Sequence, residues 1–324
     1  MTTKKNINLL IQLLADGQFY SGEWLGEQLG VTRTSISNYI KHAEALGLDI
    51  HSVKGKGYKL VAPIELLDEA LIRSLSEQKA VDVFPVLDST NQYLLDRLDQ
   101  LTPGATCMAE CQTAGRGRRG RQWVSPFGSH LYLSMYWQLE AGMGAAMGLS
   151  LVTGIATVNA LESLGVSGVQ LKWPNDIYVA GKKLAGILVE MSAQAAGPCQ
   201  LVIGLGLNVK MPAAAAEGID QPWTDLHQMG TSGVGRNQLA ARLIMALEQS
   251  LSLYEQAGLE PFLTRWQALD AFINQPVNLI IGPKTISGIA RGIDAQGALL
   301  VEQHGVIKPF IGGEISLRLA HVQC

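Results

Sequence analysis

The sequence predicts an α+β protein in three parts: a small helical unit with a β-hairpin, a larger domain of mixed β-sheet with helices, and a small C-terminal β-barrel. Three observations carry this. Residues 1–62 read as three short helical stripes and a basic-tipped hairpin. Residues 63–271 interleave apolar strand-like runs with longer helical ones, and residues 272–324 hold only short strands cut by Gly or Pro turns.

In the first part, Ile7, Leu9, Leu10, Leu13 and Leu14 form a helical stripe that Asp16-Gly17 ends. Ser21 reads as an N-cap, with Leu25 and Leu29 on the buried side of a short helix. Gly30 makes the turn, and Thr32 caps a third helix with Ile36, Ile40, Ala43 and Leu46 inward. Two short helices joined through a glycine turn give a helix-turn-helix, and residues 49–53 and 58–61 around Lys54-Gly55-Lys56-Gly57 add a wing. The third helix presents Arg33, Thr34, Ser35, Ser37, Asn38 and Lys41, polar groups that reach base edges in a major groove. Lys54 and Lys56 lie where phosphates would run. Residues 1–61 carry seven basic and five acidic side chains, net +2 in a chain of −3, so the placement of the charges says more than their sum. The plainer alternative is a helical appendage with a solvated face.

In the central part, strands are expected over 81–87, 105–111, 130–138, 169–172, 177–179, 183–191 and 200–209, with helices over 90–98, 145–164, 237–256 and 260–269. Ala180-Gly181-Lys182 is a connection of hairpin length, which makes the sheet mostly antiparallel or mixed. The stretch from Met211 to Gly235 is too long for a plain connection. Strands over 277–281, 285–293, 298–302, 306–310 and 315–319 complete the chain.

A hydrophobic share of 47% with 16% charged residues excludes general disorder. The charge-free run 141–161 is interrupted by glycines and lacks a flanking basic cluster, so it reads as a buried helix and not a membrane span. No signal peptide is read at the start, and Cys107, Cys111, Cys199 and Cys324 have neither zinc-ribbon spacing nor disulfide density. These features point to a cytoplasmic location.

The most informative segment is Gly115-Arg116-Gly117-Arg118-Arg119-Gly120-Arg121-Gln122-Trp123. Four arginines among three glycines cannot be core, since a guanidinium is buried only when paired. Glycine also costs roughly 1 kcal/mol per helical position relative to alanine. The segment formally matches G-x-G-x-x-G, but no apolar helix follows the third glycine, and Ser125-Pro126 breaks the chain again. A mobile loop that closes over a phosphate or carboxylate is the better reading, with a solvated basic loop as the alternative.

Upstream lies Asp88-Ser89-Thr90-Asn91. Downstream lie Gln170-Leu171-Lys172-Trp173-Pro174-Asn175-Asp176-Ile177, Lys182-Lys183-Leu184-Ala185-Gly186-Ile187-Leu188-Val189-Glu190 and Val202-Ile203-Gly204-Leu205-Gly206-Leu207-Asn208-Val209. In this order, along essentially the whole chain, the sequence resembles the biotin–protein ligases. Its amino-terminal part makes it similar to the bifunctional bacterial form that also represses the biotin operon. The resemblance implies a class II synthetase-like central fold, an SH3-like barrel, and a ligase that activates biotin with ATP and Mg²⁺ as biotinyl-5′-AMP. The acceptor would be a lysine of biotin carboxyl carrier protein. Operator DNA and a homodimer formed on biotinyl-5′-AMP would be the other partners.

Such chemistry holds two anions together, so charge neutralisation and alignment are the protein's task. Arg116, Arg118 and Arg121 can neutralise phosphates, and Lys183 opens a strand that aims its ammonium. The resemblance puts Lys183 on the reacting carboxylate and α-phosphate; a surface lysine is the plain alternative. With Lys183, Arg118 is the other catalytic candidate. Lys172, Asn175 and Asp176 lie in a loop kinked by Pro174; Asp176 either helps hold Mg²⁺ with phosphates or caps a turn. Asn208 is placed near the nucleotide by the resemblance, and Trp223, in the long loop, is a candidate adenine-stacking lid residue. The neutral bicyclic end of biotin needs ureido partners within apolar walls. Ser89, Thr90, Asn91, Gln112 and the backbone at Arg116 and Gly117 supply them, while Gly115, Gly186, Gly204 and Gly206 admit a flat ring. For Gly204 and Gly206 a bulged strand is the alternative; Trp123 is either a pocket wall or core. Lipoate or octanoate ligases are the nearest rivals but generally lack the arginine loop. A repressor without catalysis is the other rival, disfavoured by Arg118, Lys183 and Asn208.

Overall fold

The computed structural model describes residues 2–140, 148–192, 198–231, 233–311 and 315–319. Helices α1 (Thr2–Leu14), α2 (Gly22–Leu29) and α3 (Arg33–Ala45) close on Leu10, Leu14, Leu25, Ile36 and Ile40, and β1 (Ile50–Val53) pairs antiparallel with β2 (Gly57–Leu60). The Ser21 hydroxyl accepts from Trp24 N at 3.0 Å and that of Thr32 from Ser35 N at 3.2 Å, so both caps form where the sequence puts them. Gly30 ends α2 at φ 64, a left-handed conformation that suits glycine.

The central part adds a helix that sequence reasoning passed over. Asp68 Oδ1 accepts from Leu71 N at 3.0 Å and starts α4 (Glu69–Ser76). This helix lies beside β3 (Val81–Leu87) and covers its open edge: Glu69 accepts from Val83 N at 3.1 Å, and Arg73 donates to Val81 O. Next come α5 (Thr90–Leu95), β4 (Thr106–Gln112), β5 (His130–Leu139), α6 (Leu149–Ser163), β6 (Val169–Lys172), β7 (Asp176–Val179), β8 (Lys182–Ser192) and β9 (Cys199–Asn208). They are followed by α7 (Ala213–Ala216), α8 (Arg236–Ala257) and α9 (Leu263–Leu269). The helix expected over 90–98 stops at Leu95, and a 3₁₀ turn follows at Leu98–Gln100. Residues 145–147 of the expected long helix lie outside the described residues.

Seven strands form one mixed sheet in the order β3-β4-β5-β9-β8-β7-β6, with only β3 and β4 parallel. Strand alternation gives its two faces different work. Leu131, Leu133 and Met135 of β5 and Leu201, Ile203, Leu205 and Leu207 of β9 are buried in the core shared with α6 and α8. The alternate residues Tyr132, Ser134, Gly204 and Gly206 face the other side, where α5 packs.

Strands β10 (Pro276–Ile281), β11 (Lys284–Ile293), β12 (Leu299–Gln303), β13 (Val306–Phe310) and β14 (Ile315–Leu319) form an antiparallel C-terminal sheet in the order β13-β12-β11-β10-β14. The register of β11 shifts between Ala290 and Ile293, where such a bulge bends a sheet into a barrel. Among the described residues no helix is long and apolar enough to cross a membrane. Cys107, Cys111 and Cys199 are buried and unpaired; burial raises all three thiols, that of Cys111 to about 11. Cys324 lies outside the described residues.

Candidate active site and nucleic-acid interface

On the α5 face of the sheet lies a cavity of about 1050 Å³, open to solvent. Its floor is the paired backbone of β8 and β9, where Gly186 faces Gly206 and Leu188 faces Gly204. Neither glycine of β9 marks a bulge, because both registers run through them unbroken. Close approach is the reason instead: a Cβ at Gly204 would stand 2.3 Å from Asn91 Oδ1, and one at Gly206 would stand 2.5 Å from the Trp123 ring. The ring lying on Gly206 and Gly186 is therefore that of Trp123, which walls the pocket.

One end of the cavity is polar and uncharged. Ser89 caps α5, Thr90 N donates to Gln112 Oε1 at 2.9 Å, and buried Ser134 donates to Asn91 Oδ1 at 2.5 Å. The other end collects cations around one carboxylate. Lys183 Nζ lies 2.7 Å from Asp176 Oδ1 and 5.4 Å from the Trp123 ring centroid. Lys183 reaches this place because Ala180 and Gly181, at φ 48 and 77, form the tight turn before β8. Arg118 Nη1 donates to Asn175 Oδ1 at 2.9 Å, and Lys172 Nζ to the Tyr178 hydroxyl at 3.1 Å. Burial pulls both Arg118 and Lys172 below their ordinary pKa against the opposing effect of Asp176. Neighbouring cations, Arg318 of β14 among them, lower Lys172 further.

The arginine segment is more ordered than its composition suggests. Arg116 and Gln122 bridge, Gly117 N donates to Arg121 O at 2.7 Å, and Trp123 N donates to Gly115 O at 2.9 Å. The result is a hairpin-like projection with Arg118, Arg119 and Gly120 at its tip. Gly115 sits at its neck behind the pocket wall, where a Cβ would meet Ser125 Oγ and Trp123 O at 2.7 Å. Arg116 does not face the cationic end, for its guanidinium pairs with Glu190 at 2.9 Å.

Asn208 and Trp223 line an adjoining cavity of about 860 Å³ that shares Arg121, Gln122, Trp123, Lys183 and Gln221 with the first. The long loop is stitched to β8: Lys183 N donates to Pro222 O at 3.0 Å and Thr224 N to Lys183 O at 2.9 Å. Asn208 Nδ2 donates to Thr224 O at 3.0 Å, which uses one arm of its amide to hold this loop.

Sequence reasoning missed Tyr132, Ser134, Leu188, Glu190, Gln221, Leu317 and Arg318 around these cavities. Leu188 and Glu190 share the strand face of Gly186, so period-two alternation could have found them. No local signal marks Leu317 or Arg318, which another part of the chain brings in.

At the N-terminus, Arg33, Thr34, Asn38 and Lys41 of α3 and Lys54 and Lys56 of the wing are exposed. Ser35 and Ser37 are half-buried, and the Ser35 hydroxyl meets that of Thr32 at 3.0 Å within the cap. Lys56 and Lys59 lie over the Phe19 ring, 5.8 and 5.1 Å from its centroid. The wing lysines thus pack on the connection between α1 and α2.

A cavity with a cationic end on a mixed sheet thus stands in one chain with a helix-turn-helix and wing. Residues 83–208 match the biotin/lipoate A/B protein ligase family, 272–318 the biotin protein ligase C-terminal domain, and 6–59 a helix-turn-helix domain. The bifunctional ligase/repressor BirA of Salmonella typhimurium is 55% identical over 96% of this chain and 97% of its own length, and that of Escherichia coli 54% over the same shares. The solved biotin protein ligase from Aquifex aeolicus in complex with biotin and ATP is 28% identical, with a TM-score of 0.65 over 75% of this chain and 100% of that one. The chain belongs to the biotin protein ligases, in their bifunctional ligase/repressor branch.

Proposed function

We propose that the cavity on the α5 face takes biotin at its uncharged end and the phosphates of ATP at its cationic end. The observation that carries this is the polarity of the site: Ser89, Thr90, Asn91 and Gln112 at one end, and Arg118, Lys172 and Lys183 around Asp176 at the other. In the first step a carboxylate oxygen of biotin attacks the α-phosphorus of ATP, the bond to the β-phosphate bridging oxygen breaks, and pyrophosphate leaves. In the second, the amine of an acceptor lysine attacks the carbonyl of biotinyl-5′-AMP and AMP leaves, with the proton lost from nitrogen to solvent. Lys183 and Arg118 stabilise charge on the α-phosphate, Arg121, Lys172 and Asn175 align the nucleotide, and Trp223 in the adjoining cavity lies against adenine. Asp176 is the one carboxylate lining the main cavity among the described residues, and with phosphate oxygens it fits Mg²⁺, which would neutralise the triphosphate.

The acceptor is the biotin carboxyl carrier protein, and the helix-turn-helix and wing bind operator DNA as a homodimer formed on biotinyl-5′-AMP. Ordering of 115–123 and 211–235 by that ligand gives it a preference for the dimer-competent state. We assign the boundaries 1–62, 63–271 and 272–324 to the DNA-binding, ligase and barrel units.

ATP–pyrophosphate exchange tests the reading: exchange with biotin and not with lipoate is expected, and the reverse preference would overturn it. Lys183→Met should lower biotin-dependent exchange by about 10²–10³-fold. Near-parental exchange would remove Lys183 from the chemistry.

A further inference from the structure

The long segment between β9 and α8 leaves the sheet at Met211 and returns at Asp225, and the Asp225 carboxylate joins the two ends. This carboxylate is buried, the residue being only 2% exposed. Its Oδ1 accepts from Gln228 N at 2.7 Å, which caps the local turn over 226–230. Its Oδ2 accepts from Met211 N at 2.8 Å, 14 residues away in the chain. That second bond is not local: it closes the neck of the loop that carries Trp223 and the wall of the adjoining cavity from Gly218 to Gln221. Backbone bonds run beside it, from Leu226 N to Asn208 O at 3.2 Å and from His227 N to Val209 O at 3.0 Å. The outgoing end is anchored in its turn. Lys210 N donates to Ser129 O at 2.8 Å, and the Met211 sulfur lies 3.3 Å from His130 Nε2. A side chain that joins the ends of a loop lowers the entropy lost in ordering what lies between, so it favours the closed loop without touching a ligand.

We propose that Asp225 is a positioning residue: it staples the neck of the loop over 211–225, and this staple sets how long biotinyl-5′-AMP is held. The proposal rests on reading the adjoining cavity as the adenine side of the site. The staple belongs to the closed loop, the state that the bound ligand orders. It therefore acts on the nucleotide side and on release of the adenylate, and leaves the entry of biotin alone.

Asp225→Asn keeps the size of the side chain but replaces one accepting oxygen by an amide nitrogen that cannot accept, and Asp225→Ala removes both acceptors. Labelled biotinyl-5′-AMP formed on the full-length protein should dissociate roughly threefold to tenfold faster from the first variant and roughly tenfold to hundredfold faster from the second. KM for ATP should rise in the same order, while KM for biotin stays within about twofold of the parent. Gln228→Ala removes a side-chain bond of 3.3 Å but keeps the capped N–H, so release should stay within about twofold. Thermal midpoints separate a loosened loop from a damaged fold, and where Asp225→Ala does not fold, Asp225→Asn carries the test. Unchanged release from Asp225→Asn, or a KM for biotin that rises as far as the KM for ATP, would overturn the proposal. A parent without biotin-dependent exchange would remove the ligase reading of both cavities and the staple's role with it. A parent with full exchange and a variant with unchanged release would remove the staple alone.

Discussion

The N-terminal helices close on a core of their own, which, among the described residues, only Cys111 and Phe127 of the sheet domain join as fully buried members. Val277, Leu279, Ala290, Leu299, Val301 and Leu317 of the C-terminal strands belong instead to the same continuous core as the seven-stranded sheet. Trp173, beside the cationic end of the pocket, donates to Gly297 O of the barrel at 3.1 Å, and Leu317 lines the pocket itself. The N-terminal unit meets the sheet domain over the smaller patch at Cys111 and Phe127. Just past the boundary at 62, Glu65 accepts from Arg236 N and Asn237 N at the start of α8, and within the sheet domain Arg236 pairs with buried Glu110 at 2.8 Å. Phe127 N donates to Leu46 O at 3.0 Å just beyond the arginine hairpin. Continuous apolar burial makes the barrel part of the ligase fold, whereas a core of its own leaves the DNA-binding unit separable.

Truncation breaks the comparison most directly. Removing 272–324 should leave no cooperatively folded ligase, since a large apolar face of the shared core would open to water. Removing 1–62 should abolish operator binding yet leave biotin-dependent exchange at saturating substrates within roughly tenfold of the parent. Thermal unfolding and exchange on both truncated chains check this, and equal losses in the two would refute the asymmetry.

A smaller effect tests the buried ion pair of the sheet domain. Arg236→Met strips buried Glu110 of its charged partner, leaving its carboxylate only Leu67 N among the described residues, and His130 O of two donors, at 3.2 and 2.7 Å. It should cost about 3–5 kcal/mol, read as a lower denaturant midpoint. A loss below 1 kcal/mol would mean that water replaces the guanidinium.

The smallest effect concerns pH. His130 is fully buried, accepts from Val209 N through Nδ1 at 3.0 Å, and is held down to about 3 by burial and then by Arg236. The unfolded chain takes up this proton below about pH 6.5, and the folded chain does so only near 3. The contribution of His130 is therefore complete above about pH 6.5 and is lost as pH falls towards 3, by at most about 1.4 kcal/mol per pH unit. Urea midpoints of His130→Asn should fall less steeply than those of the parent between pH 7 and 4.5; parallel slopes would place the proton uptake elsewhere.

Capping and periodicity made most of the architecture legible. Ser21, Thr32 and Gly30 mark helix ends by local hydrogen bonding and backbone sterics alone, and the Ala180-Gly181 turn fixes where β8 begins. Helix α4 was legible too, in Asp68 followed by the amphipathic 69–76, and was simply passed over. The expected helix beyond Leu95 failed because only a 3₁₀ turn follows there.

By itself the sequence determined the types and order of elements, the cationic character of 115–121, and the family, because caps, strand alternation and ordered motifs are written in neighbouring residues. Tertiary structure alone decided the partners of those charges. It turned Arg116 to Glu190 and away from the cationic end, set Trp123 on Gly206, put Asn208 and Trp223 in the adjoining cavity, and brought Leu317 from the barrel to the pocket. Pairing of charges and approach of surfaces depend on strands distant in the chain, and a spacing pattern holds no record of which distant strand lies beside which.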